Sequence, residues 1–354
     1  MRFKVKIITD LEFEQVFEAI NAWRKEIQLN PLKKSSVKQY CGNYNILSTL
    51  CKAQNDDDKY FLEDYENISK ALLQPNGNTG KVLTENSRRN YLNSVIVMSQ
   101  TLGLDGDTIQ KFVDDRDELN VKYTKAKKED IFNDAEKDCK ITEKDIDEML
   151  KKLDKRITSL DIWKADMNNI TEKDFELVQF FVMMMLYKHH RLRNDFSSLH
   201  IITLKKYKLL EFNKVNNYLL IKGREIEIIL NDFKTNKNEN QEIIRITNKH
   251  LKTILKRYIK IIGNDNPLFS RDGETPLTTN QLTVFLQKNN MEHLGYKLST
   301  RLLRKIFYTE KYGDVADTLK NDAAANLHST GTAMNIYCQG KSVEGDDKVP
   351  LSDD

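Results

Sequence analysis

The sequence of 354 residues has few cysteines and no long apolar segment. Its four cysteines are scattered, at Cys41, Cys51, Cys139 and Cys338. No CxxC pair occurs, so neither a zinc site nor a disulfide framework is supported, and four free thiols are expected. The most apolar run, Phe180 to Tyr187, is too short to cross a bilayer, and the first residues lack the cleavage site of a secretory signal. We therefore expect an intracellular protein, in the cytoplasm or nucleus, with no membrane segment.

Motifs for metal and nucleotide chemistry are also missing. No two of the six histidines have HExxH or comparable spacing with a carboxylate partner. Neither GxxxxGK[ST] nor GxGxxG, the common phosphate-binding loops, occurs. The sequence therefore predicts no metal and no nucleotide cofactor.

Charge is nearly balanced, with 56 basic and 53 acidic residues and a formal net charge of +3. This balance is weaker than the strongly basic one expected of a protein that coats DNA. If DNA is the partner, the positive charge must be concentrated on one face, while acidic runs such as Asp56–Asp58 lie elsewhere.

Apolar residues recur at helical spacing through the first 120 residues. The predicted helices cover Leu11–Ile27, Val37–Leu50, Tyr60–Leu73 and Glu85–Leu102. We interpret residues 1–34 as an N-terminal helix or arm and residues 35–120 as a helical domain. The continuous charge of residues 121–140 is typical of a linker.

Residues 141–340 mix helical patterns with short β-branched runs. The predicted helices are Thr142–Leu153, Glu172–Tyr187, Asn248–Ile262, Thr279–Asn289, Ser299–Glu310 and Asp314–Leu327. The runs HIITLKKY, NYLLIKG, EIEIIL and QEIIRIT predict short antiparallel strands. The expected class is mainly α with a small antiparallel sheet, an α+β fold. The polar tail, 341–354, is expected to be disordered.

Isolated basic residues stand at junctions between these elements. Arg193 follows an apolar helix in HHRLRNDF, where a rigidly held guanidinium can fork onto two phosphate oxygens. Taken alone, this arginine is better explained as a cation at the helix end, near the last carbonyls, or as a surface pair with Asp195. Lys234 ends a predicted strand and could protonate a departing oxygen, although Lys237 is a competing candidate.

Two further segments add cations and a phenol. Arg301 and Arg304 share one helical face, and a phosphate between them would relieve their repulsion. A basic stripe on a surface helix is the alternative. His328 precedes Tyr337 by nine residues. A phenol has a pKa near 10, so it needs neighbouring cations to act as a nucleophile, and Tyr337 could otherwise be an ordinary core tyrosine.

Taken in order, these segments resemble the signature of the tyrosine recombinase and phage integrase family. That signature is an arginine, a hairpin lysine, His-x-x-Arg, a histidine and a nucleophilic tyrosine nine residues later. The corresponding residues here are Arg193, Lys234, Arg301, Arg304, His328 and Tyr337. The stretch HSTGTAMNIY is similar to the family's HSxxxTxxxY box, and RNDF resembles a variant found in mobile elements and large DNA viruses. One departure is Arg301, which replaces the usual histidine of His-x-x-Arg and cannot readily act as a base.

The resemblance implies a helical core-binding domain followed by a catalytic domain. It also implies a site-specific recombinase or integrase that cleaves and rejoins double-stranded DNA through a 3′-phosphotyrosine, without metal or cofactor, as a homotetramer on two DNA sites. Arg193, Arg301 and Arg304 would hold the phosphate, Lys234 would protonate the leaving 5′ oxygen, and His328 would orient the phosphate or accept the Tyr337 proton. Two alternatives remain open: a type IB topoisomerase, and an inactive DNA-binding protein with the same fold.

Overall fold

A computed structural model describes residues 10–51, 61–75, 80, 82–128, 139–212, 215–233, 241–325 and 334. The chain divides into two compact units, Met1–Asn133 and Asp134–Asp354. Within the residues covered, no helix is both long and apolar enough to cross a membrane. Lys234, Lys237, His328, Tyr337 and the predicted tail lie outside the described residues.

The first unit is a set of helices around one apolar core. They are α1 (Asp10–Glu26), α2 (Lys34–Leu50), α3 (Tyr65–Leu73), α4 (Glu85–Leu102) and α5 (Gly106–Lys128). Val16 and Ile20 of α1 are fully buried in the same core as Val37 and Leu47 of α2. Helix α5 continues into the charged segment that begins at residue 121, where residues 121–125 are exposed.

The second unit contains six helices and four strands among its described residues. The helices are α6 (Glu143–Ser159), α7 (Glu172–His189), α8 (Leu204–Leu209), α9 (Lys249–Ile262), α10 (Thr279–Leu294) and α11 (Thr300–Ala325). The strands are β1 (His200–Thr203), β2 (Tyr218–Lys222), β3 (Glu225–Leu230) and β4 (Glu242–Arg245). Every residue from Leu177 to Tyr187 of α7 is buried. Because a helix that is apolar all round must be covered on all sides, α7 forms the centre of this unit.

The expected class, mainly helical with one small sheet, is confirmed. The four strands lie in the order β1, β2, β3, β4. Pairs β2–β3 and β3–β4 are antiparallel as expected, but β1 and β2 run parallel, so the sheet is mixed rather than wholly antiparallel. The reason is the connection: the chain leaves β1 directly into α8 and returns before entering β2, which brings the two strands into the same direction.

Helix α11 is one continuous element where two helices were predicted. It runs from Thr300 to Ala325 through Gly313. A single glycine costs a helix only about 1 kcal/mol relative to alanine, and no proline interrupts the segment, so the helix does not end there. Its first turns carry Arg301 and Arg304.

Candidate functional site

A surface cleft in the second unit brings three arginines together. Its volume is about 320 Å³. The described residues that line it are Arg191, Leu192, Arg193, Leu230, Phe233, Glu242, Ile244 and Arg304. They come from the segment after α7, from the β3–β4 region and from α11, which are distant in sequence. We call this feature the arginine cleft.

The backbone at Arg193 is held from both sides. The Tyr187 hydroxyl, at the buried end of α7, donates a hydrogen bond to the Arg193 carbonyl at 3.3 Å. The next residue, Asn194, donates through its side chain to Thr283 Oγ1 of α10 at 2.7 Å. Phe196 is fully buried and packs edge-on against the Tyr187 ring, with centroids 5.2 Å apart. Arg193 therefore has a fixed main chain and an exposed side chain.

Arg304 is positioned by the buried face of α11. Leu303 and Phe307, on either side of it, are fully buried. The half-buried Arg304 donates through Nε to the Thr300 carbonyl at 3.4 Å, one turn earlier in the same helix. This contact uses Nε, and Arg304 is one of the residues lining the arginine cleft, where a planar guanidinium can bind two oxygens of one anion.

Arg191 is a cleft residue that the sequence analysis did not single out. Its guanidinium carbon lies 5.4 Å from the ring centre of Phe307 and 5.7 Å from that of Tyr308, both on α11. Its Nε is buried and has no hydrogen-bond partner in the described structure. The sequence signal for this residue was modest: HHRLR places two arginines two positions apart after a buried helix.

Basic residues outnumber acidic ones among the described residues that line the arginine cleft. Three of these residues are arginines, and one, Glu242, carries a carboxylate. Within the part of the chain that the structure covers, Arg191, Arg193 and Arg304 form no ion pair with a carboxylate. An anion with several oxygens is the ligand that such a cleft would bind best.

The structure relates the other predicted site residues to this cleft in different ways. Arg301 is exposed at the start of α11 and is not one of the residues lining the cleft. Lys234 follows the cleft residue Phe233 directly in sequence, but it belongs to the segment outside the described residues. His328 and Tyr337 come after the end of α11 at Ala325 and are likewise outside them.

Two histidines directly precede Arg191 in sequence, at the end of α7. Burial lowers the pKa of His190, one residue before Arg191. Burial also lowers the pKa of His189, and the neighbouring charges of Lys188, His190 and His250 act in the same direction. Among the described residues, no group of three or more His, Cys, Asp or Glu side chains could hold a metal ion.

Comparison with known proteins finds no matching family model, no matching curated protein and no matching solved structure. A functional assignment therefore depends on the motif residues and on the geometry of the arginine cleft. Of the six motif residues, Arg193, Arg301 and Arg304 are described, and two of these three line one cleft.

Proposed function

We propose that this chain is a tyrosine-type site-specific DNA recombinase. The observation that carries the proposal is that Arg193 and Arg304, distant in sequence, line one cleft and form no ion pair there with a carboxylate of the described protein. The main chain of Arg193 is held by the Tyr187 and Asn194 hydrogen bonds, and Arg304 is positioned by the buried face of α11. Charges fixed in advance stabilise a transition state better than mobile ones, because no reorganisation is needed as charge develops.

The proposed reaction exchanges one phosphate ester for another. The Tyr337 oxygen attacks the scissile phosphorus, the bond to the 5′ oxygen breaks, and a 3′-phosphotyrosine forms. Arg193 and Arg304 bind the non-bridging oxygens, with Arg301 close by on the same helix. His328 orients the phosphate or accepts the phenolic proton, and Lys234 donates a proton to the leaving 5′ oxygen. Attack by a second strand's 5′ hydroxyl reverses the chemistry and joins new partners.

Double-stranded DNA is the proposed partner. Its phosphates are regularly spaced anions, which suit a cleft whose described lining has more guanidiniums than carboxylates. Strand exchange between two sites requires four active centres, so a homotetramer on two DNA sites belongs to the same proposal.

The central experiment is covalent capture on nicked suicide DNA, in which the released fragment diffuses away and prevents religation. The substrate is taken from the ends of the element that carries the gene. Wild-type protein should form an adduct that survives denaturation, and Tyr337→Phe should form none. Tyr312→Phe is the matched control, because Tyr312 is an exposed tyrosine of α11 that does not line the cleft.

The outcomes separate the alternatives. An undiminished adduct with Tyr337→Phe contradicts the assignment of the nucleophile. DNA binding without any adduct in the wild type identifies an inactive DNA-binding protein. An adduct together with supercoil relaxation, but without exchange between paired sites, identifies a type IB topoisomerase.

A further inference from the structure

The half-buried Arg191 side chain contacts α11 through its guanidinium. Its guanidinium lies against two aromatic rings of α11, those of Phe307 and Tyr308. Phe307 is fully buried, whereas Tyr308 is exposed. Cation–π contacts of this kind attract the guanidinium toward the rings and restrict its position.

The Nε and Nη nitrogens of this guanidinium differ in burial. Nε is buried without a hydrogen-bond acceptor in the described structure. The two Nη groups form no hydrogen bond with the described residues either, but they are not buried, and the side chain lines the arginine cleft. A guanidinium that packing already restricts loses less conformational entropy when its Nη groups bind an anion.

We propose that Arg191 is a third phosphate-binding residue, which holds the DNA backbone phosphate next to the scissile one. This inference rests on the proposed function. The scissile phosphate has two non-bridging oxygens, and the forks of Arg193 and Arg304 supply enough donors for both. The fork of Arg191 is left for the adjacent phosphate, where it fixes the register of the strand before the chemical step.

A purely structural role makes a different prediction. If Arg191 only fastens the segment after α7 to α11, its removal lowers stability and leaves the number of phosphate contacts unchanged. The salt dependence of DNA binding distinguishes the two roles. The logarithm of the binding constant falls linearly with the logarithm of the salt concentration, and each neutralised phosphate adds about 0.9 to the magnitude of this slope.

The experiment compares binding of random-sequence double-stranded DNA across a salt series, with every variant in a Tyr337→Phe background so that covalent chemistry does not contribute. Arg191→Met should reduce the slope by about 0.9. Arg191→Lys should keep the slope and bind several-fold more weakly, because lysine retains the charge but not the planar fork. Should Arg191→Met fail to fold, Arg191→Gln, which keeps a planar amide against Phe307, gives the same comparison.

Arg257→Met is the matched control. Arg257 also contacts an aromatic ring, with its guanidinium carbon 5.8 Å from the ring centre of Trp163, but it does not line the cleft. Its slope should equal that of the parent protein. An unchanged slope in folded Arg191→Met, with DNA binding retained, overturns the role of Arg191 alone. Absence of salt-dependent DNA binding by the parent protein overturns the proposed function, and the role of Arg191 with it.

Discussion

The side-chain oxygen of Asn217 accepts a hydrogen bond from the backbone N–H of Asn231 at 2.8 Å, and another from that of Asp232 at 2.9 Å. The amide nitrogen of Asn217 donates to the Asp232 carbonyl and to Ser198 Oγ, at 2.7 and 3.1 Å. This one buried side chain therefore ties the end of β3, just before the segment that carries Lys234, to the short helix that follows Arg193.

Asn217→Ala should lower the free energy of unfolding of the second unit by about 3 kcal/mol, since it leaves several backbone groups at a buried site without partners. Urea denaturation followed by Trp163 fluorescence, in a Trp23→Phe background, reports on this unit alone because these are the two tryptophans of the chain. The exposed Asn264→Ala should change the value by less than about 0.5 kcal/mol. Equal effects of the two substitutions would contradict the structural role of Asn217.

Local signals in the sequence were sufficient for many of the helices. Helix α4 has the bounds that were predicted, Glu85–Leu102, because Thr84 caps its first turn by accepting from the Ser87 N–H, and Gly103 ends it in a left-handed conformation with φ of 67°. Helix α5 was not predicted as an element. Its buried residues, Phe112 and Leu119, are separated by charged positions that obscure the apolar periodicity.

Features that depend on contacts between distant residues could not be predicted. The direction of β1 follows from how the chain crosses back through α8, which no local pattern encodes. The sequence identified Arg193 and Arg304 as candidates through a family pattern, but their shared cleft depends on packing of α11 near the end of α7. Arg191 was missed for the same reason, since its aromatic neighbours Phe307 and Tyr308 are distant in sequence.

Arg304 and Arg301 should differ in their contribution to catalysis. Arg304 lines the arginine cleft, whereas the exposed Arg301 does not. Loss of a fixed donor to a developing oxyanion costs roughly 100-fold or more in rate, so Arg304→Met should slow adduct formation on suicide DNA by about that factor. Arg301→Met should slow it by less than about tenfold, the effect of a charge near the phosphate but outside the cleft. The rate of adduct formation under single-turnover conditions gives both values.

An Arg301→Met defect as large as that of Arg304→Met would show that both residues bind the scissile phosphate.

Stability of the second unit should fall as the pH drops through about 6.5. Burial lowers the pKa of His190 and of His200 below the ordinary value of 6.5, so the unfolded chain binds protons first as the solution is acidified. The free energy of unfolding therefore decreases below that pH, and it levels off once the pH is lower than the pKa values in the folded state. Urea denaturation at several pH values between about 8 and 5 measures this dependence. His190→Gln should weaken this pH dependence. At about pH 8 the imidazole is neutral in both the folded and the unfolded state. The difference in unfolding free energy between variant and parent at that pH therefore gives the contribution that is unrelated to titration. A parallel pH dependence in the two proteins would contradict this origin.

Glu242 should weaken DNA binding in the wild-type protein. Its carboxylate is the one acidic group among the described residues that line the arginine cleft, and it forms no ion pair there with Arg191, Arg193 or Arg304. Glu242 is therefore expected to repel a phosphate in the cleft. It does not compensate for this repulsion by holding one of the three arginines in position. Glu242→Gln should bind random-sequence duplex DNA roughly fivefold more tightly at low salt, and the gain should shrink as salt screens the charge. Glu274→Gln, which removes an exposed carboxylate outside the cleft, changes the net charge equally and should have a much smaller effect. Equal gains from both substitutions would mean that net charge, rather than the position of Glu242 in the cleft, determines DNA affinity.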